Sequence, residues 1–122
     1  MTSVLDASAV LAFLLGEDGA EIVEGALADD PRCGAANWSE VARRVMSTGR
    51  DWHLAQALLA RYAMRVEPVV RKDAEWAARR WRQGEGLSLA DRLCLALAER
   101  LDAKVFTADK SWGQSGRIVQ IR

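Results

Sequence analysis

Residues 88–109 read SLADRLCLALAERLDAKVFTAD, and the order of patterns within them decides the fold. Leu89, Leu93, Leu97 and Leu101 recur every four residues, with Ala90, Cys94 and Ala98 filling the same face, so Ser88 opens an amphipathic helix. Lys104 to Thr107 follows almost at once as a short apolar run, too short for a helix and read as a strand. A helix that feeds directly into a buried strand is half of the repeating unit of a parallel sheet covered by helices.

The chain on either side alternates in the same way. Ser3 to Asp6 reads as a strand, and Ala7 to Leu15 as a small-residue helix running into Gly16. Gly19 to Ala28 reads as helical, with Asp18 placed to cap it and Pro31 beyond its end. Cys33 to Ala36 is expected to be extended, Asn37 to cap a helix through about Thr48, and Asp51 to cap the next. Met64 to Val70 is extended around Pro68, which suits a sheet edge. Arg71 to Gln83 forms a charged helix carrying Trp76 and Trp81, and Arg117 to Ile121 a last strand. With no hairpin signal, the expectation is a three-layer α/β/α domain over residues 1–122, its short parallel sheet flanked by helices.

Composition narrows the function. Half of the 122 residues are hydrophobic, which excludes a disordered chain, and a length of this order suits one domain. The longest apolar stretch, Val4 to Leu15, is interrupted by Asp6 and falls short of a membrane span. Without a secretory signal the expected location is cytoplasmic. Two cysteines and one histidine cannot close a zinc site, and Cys33 and Cys94 sit among small apolar residues, as reduced core thiols do. The net charge is zero, so any hold on nucleic acid must come from local arginines and a bound cation rather than an overall basic field. His53 has no catalytic partner in a recognisable motif, and glycine-rich phosphate loops and a GxSxG elbow are absent.

Four acids stand at matching places. Asp6 closes the first strand, Asp109 follows the run Val105-Phe106-Thr107, and Glu40 and Asp91 each lie three residues after an expected cap, Asn37 and Ser88. In a parallel α/β sheet, strand C-termini and the first turns of the following helices share one edge. Each acid also has a structural role open to it. Asp6 can cap the first helix, although Ser8 offers an alternative cap. Glu40 and Asp91 fit the capping-box pattern, and Asp109 can start a turn. Gathered on one edge, four carboxylates repel one another unless a cation lies between them, and oxygen-rich sets of this kind suit Mg²⁺ or Mn²⁺, which act on phosphate esters.

On these residues the chain resembles the PIN-domain nucleases, and within them the VapC-type toxins. The matching pieces are Val4-Leu5-Asp6-Ala7-Ser8, Asn37-Trp38-Ser39-Glu40, Ser88-Leu89-Ala90-Asp91 and Val105-Phe106-Thr107-Ala108-Asp109. The resemblance implies an endoribonuclease that uses one or two Mg²⁺ or Mn²⁺ ions. Asp6, Glu40, Asp91 and Asp109 would form its acidic set, with Ser8, Asn37 and Thr107 as polar support. It also implies an RNA substrate, a VapB-type antitoxin covering the acidic groove, and a homodimer. Where many relatives carry a further acid, this chain has Ser111, and Trp38 is a bulky neighbour to the expected site. The rival readings are a receiver-like or degenerate protein-binding module, and a DNA or flap nuclease using the same acids.

Overall fold

The structure is a computed structural model describing residues 1–122. Strands β1 (Ser3–Leu5), β2 (Pro31–Gly34), β3 (Arg65–Glu67), β4 (Lys104–Thr107) and β5 (Ile118–Gln120) form one sheet, every pair parallel, in the order β3-β2-β1-β4-β5. Helices α1 (Ala7–Leu15), α2 (Ala20–Leu27), α3 (Ala35–Ser47), α4 (Trp52–Arg61), α5 (Arg71–Arg80) and α6 (Leu89–Leu101) cover it. Alternation along β1 assigns the layers. Leu5 turns into a core built with α1, α2, α3 and α4, whereas Val4 turns into a second core with Cys94, Leu97 and Ala98 of α6. The expected three-layer α/β/α architecture is therefore what the chain adopts. No helix is long and apolar enough to cross a membrane.

The strand order positions the site. From β1 the chain steps outward to β2 and β3, then returns through α5 and α6 to add β4 and β5 on the other side. The connection reverses at the β1–β4 boundary, and in open parallel sheets that reversal leaves a crevice at the strand C-termini. Asp6 and Asp109 follow the two strands that border it. The order also differs from the 2-1-3-4-5 sheet of receiver domains, which removes that rival.

Several expected boundaries move, each for a local reason. Gly19, in the left-handed region at φ 92°, caps α2 in place of Asp18, since a Cβ there would lie 2.5 Å from the Ile121 carbonyl oxygen. Asp18 instead accepts a hydrogen bond from Arg122 through its backbone carbonyl. Strand β2 begins at Pro31, a position where the missing N–H costs no ladder bond, and α3 starts at Ala35. Helix α5 stops at Arg80, so Trp81 is extended and largely exposed while Trp76 stays on the helix. Leu89 is 58 % exposed because it opens α6, and the buried face is carried by Cys94, Ala96, Leu97 and Ala98. The edge position of β3 is as Pro68 suggests.

Helix α6 is fixed from outside by α5. Arg100 forks onto both oxygens of the buried Asp73, at 2.9 and 3.2 Å, while the same carboxylate accepts from the Val70 N–H. Removing one partner of such a pair leaves the other charge incompletely compensated. Asp73→Ala is expected to lower stability by about 3 kcal/mol in denaturant unfolding, against about 1 kcal/mol or less for Glu75→Ala in the exposed Arg71–Glu75 pair.

Candidate active site

A cavity of about 210 Å³ opens at the C-terminal edge of β1 and β4, and all four acids line it: Asp6, Glu40, Asp91 and Asp109. Ser8, Asn37, Arg43 and Arg44 complete its polar wall. Asp6 caps α1, its Oδ1 accepting from the Ala9 N–H at 2.8 Å and from the Ser8 hydroxyl at 2.7 Å. Its Oδ2 accepts from the fully buried Thr107 hydroxyl, which in turn accepts from the Asp109 N–H. Ser8 is not the helix cap but a bridge, accepting from the Ala108 N–H at 2.8 Å. Thus Ser8 and Thr107 tie the end of β1 to the end of β4.

Asn37 differs from its expected role. Because α3 begins at Ala35 with Gly34 at its cap, three residues earlier than expected, Asn37 lies inside the first turn and cannot cap it. It is buried, accepts from the Ala7 N–H at 3.1 Å and donates to the Ala90 carbonyl at 3.3 Å, holding α1, α3 and α6 together at the crevice. Glu40 therefore has no cap to serve and stands one turn further along the same face. Arg43 and Arg44 follow at the next helical spacing. Sequence reasoning missed both, although their spacing of three and four from Glu40 was the available signal.

Asp91 does close the expected capping box, Oδ2 accepting from the Ser88 N–H at 2.9 Å while its own N–H donates to the Ser88 hydroxyl. Asp109 caps a short 3₁₀ turn, Lys110–Trp112, its Oδ1 accepting from the N–H and hydroxyl of Ser111. In both residues the second carboxylate oxygen has no protein partner. Trp38 does not line the cavity; it packs on Trp52 with ring centroids 5.0 Å apart, joining α3 to α4.

The electrostatics follow chiefly from burial. Burial pushes the Asp6 carboxyl up to about 6, against the hydrogen bonds from Thr107, Ser8 and Ala9, and the Asp91 charge adds to the push. Burial and Asp91 also raise Glu40, partly offset by Arg43. Burial, with the carboxylates of Asp6 and Glu40 behind it, pushes the Cys33 thiol up to about 12, so it stays an inert core group. The donor set is all oxygen and suits a hard divalent cation. As they stand, no three of the chain's His, Cys, Asp or Glu side chains converge closely enough to hold one. The acids share a cavity without meeting at a point, as mutually repelling carboxylates do.

A family profile described as the PIN domain matches residues 3–116. The chain belongs to the PIN-domain family. Among solved structures, a toxin–antitoxin complex from Klebsiella pneumoniae superimposes with a TM-score of 0.78 at 17 % identity, covering 99 % of this chain and 98 % of that one. VapC20 from Mycobacterium tuberculosis, a sarcin–ricin loop cleaving toxin, gives 0.74 at 16 % identity over 95 % and 96 % of the two chains. VapBC2 from Rickettsia felis, bound to promoter DNA, gives 0.69 at 15 % identity over 98 % and 97 %. At such identities the likeness to this PIN domain is one of fold. No curated protein matches the sequence.

The raised Asp6 pKa has a thermodynamic signature. With a folded value of about 6 above the ordinary 3.8, the folded state holds the proton more tightly, so this contribution is fully present below about pH 4 and lost as pH rises through 6. Its size is about 3 kcal/mol. Asn can keep the Ala9 and Ser8 bonds through its oxygen and donate to Thr107 through its amide. In metal-free buffer the difference in melting temperature between Asp6→Asn and wild type is therefore expected to grow in favour of the variant from pH 4 to pH 7. A constant difference would contradict the assigned shift.

Proposed function

We propose that this PIN domain, acting as one unit over residues 1–122, is a divalent-metal-dependent endoribonuclease and the toxin of a toxin–antitoxin pair. The observation that carries the proposal is that Asp6, Glu40, Asp91 and Asp109, from four separate places in the chain, line one cavity at the sheet's reversal point. These four would hold one or two Mg²⁺ or Mn²⁺ ions. Such an ion, when bound, supplies positive charge for the phosphate oxygens and acidity for the attacking water.

The chain's own residues supply the rest. Thr107 and Ser8 fix the Asp6 carboxylate, and Ser111 fixes Asp109, so neither must reorganise as charge develops. Arg43 and Arg44 on the rim face the non-bridging oxygens of a phosphodiester with charge-assisted donors. Water adds to phosphorus in line as the bond to the 3′ oxygen breaks, leaving a 5′-phosphate and a 3′-hydroxyl.

Support for a partner comes from a separate apolar cavity. An apolar cavity of about 290 Å³ between α1, α3 and α4 is lined by Leu14, Leu15, Val45, Leu54, Ala55 and Leu58, with Leu54 69 % exposed. It suits an apolar segment of a VapB-type antitoxin, whose basic tail would then reach the carboxylates. The toxin role carries cytoplasmic location and homodimerisation with it. Val66, Val69 and Trp81 are exposed apolar side chains available to a second copy.

Total RNA incubated with Mg²⁺ or Mn²⁺ tests the activity, with DNA of matched sequence alongside. Wild type is expected to cut RNA to 5′-phosphate ends, chelator to stop it, and Asp6→Asn or Asp91→Asn to reduce the rate by roughly 100-fold or more while the protein stays folded. A 2′,3′-cyclic phosphate product, or cutting that survives both substitutions, would contradict the proposal.

A further inference from the structure

A second cavity, of about 260 Å³, continues from the acidic one. It is lined by Ser8, Leu11, Leu15, Glu17, Arg44 and Arg122, and it shares Ser8, Leu11 and Arg44 with its neighbour. Ser8, Leu11 and Leu15 fall on one face of α1, so the helix forms a continuous floor beneath both. Arg44 stands where the two cavities meet, and Arg122 at the outer end.

Neither arginine is neutralised by a close ion pair. Arg32, Arg80, Arg100 and Arg117 are each held against carboxylates at 2.6 to 3.1 Å. Arg44 has no carboxylate or hydrogen-bond partner for its guanidinium, although four carboxylates line the cavity it borders. Arg122 donates to the Asp18 carbonyl at 2.9 Å but stands 3.9 Å from Glu17, a loose pair that leaves most of its five donors unused. The run is thus an oxygen-rich cavity, then an unpaired cation, then a loosely paired one, over an apolar floor of Leu11 and Leu15. A polyanion with regularly spaced charges and apolar faces fits that order. No aromatic ring lines either cavity to stack a base.

We infer that the two cavities form one track for a single-stranded RNA backbone, in which Arg44 and Arg122 bind phosphates adjoining the one held at the carboxylates. The inference rests on the nuclease reading above and names how that site holds its substrate. Grip along this arm is by phosphate charge, so it is sequence-tolerant and steeply salt-dependent.

The test is fluorescence anisotropy with a labelled mixed-sequence single-stranded RNA, in the Asp6→Asn background so that the probe is not cut. Adding Arg44→Gln or Arg122→Gln is expected to weaken binding and to flatten the slope of log affinity against log salt by about 0.7 for each arginine. Arg44→Lys, which keeps the charge, should restore the slope, and Arg79→Gln on α5 should leave it unchanged. A dinucleotide carrying a single phosphodiester should compete equally well against the parent and the Arg122→Gln protein. Unchanged slopes in both Gln variants, or an equal loss in Arg79→Gln, would overturn the track. If Asp6→Asn cuts the probe with metal at the wild-type rate, the nuclease reading fails; unaltered binding in Gln variants of a protein that Asp6→Asn has slowed as expected overturns the track alone.

Discussion

A carboxylate at a helix start can satisfy the chain end with one oxygen and still present the other. Asp91 and Asp109 divide their oxygens in this way, and Asp6 does so in part, its second oxygen carrying only the Thr107 hydroxyl. That division is what lets acids be built into the backbone's own architecture and remain available to a cation. It also fixes them, because a capping carboxylate cannot rotate away without releasing the N–H groups it holds. Glu40, on the second turn of α3, has no such duty and keeps its freedom.

The surrounding polar residues exist to make this crowding tolerable. Ser8 and Thr107 lower the cost of charge on Asp6, yet burial outweighs them and the carboxyl still rises to about 6. Asn37 supplies no charge, but its amide closes the gap between α1, α3 and α6 at the point where the three helices meet. The net charge of the chain is zero, so the positive charge at the site is local, from Arg43 and Arg44 on the cavity wall.

Much of this was legible in the sequence. Apolar runs between helical patterns give the parallel sheet, and acids after those runs must fall at the strand C-termini whatever the details of packing. Helix α1 and strand β4 occur at their expected bounds because caps and hydrophobic pattern agree there. The failures share a cause. Gly34 and Gly19 begin helices without a side-chain cap, so Asn37 and Asp18, which look like caps, are displaced into other work. The spacing of Arg43 and Arg44 from Glu40 is a weak signal of function, since arginines three and four residues after a glutamate more often make an ordinary helix pair. Their meaning emerges only once α3 is seen beside α1.

The claim on which the rest depends is that the four carboxylates together make a cation site, and Mn²⁺ titration followed by the free-ion electron paramagnetic resonance signal tests it most directly. Saturable binding near pH 7 that is weakened in Asp6→Asn and again in Asp91→Asn is the predicted result. Binding of equal strength in wild type and both variants, or no saturable binding at all, would contradict it.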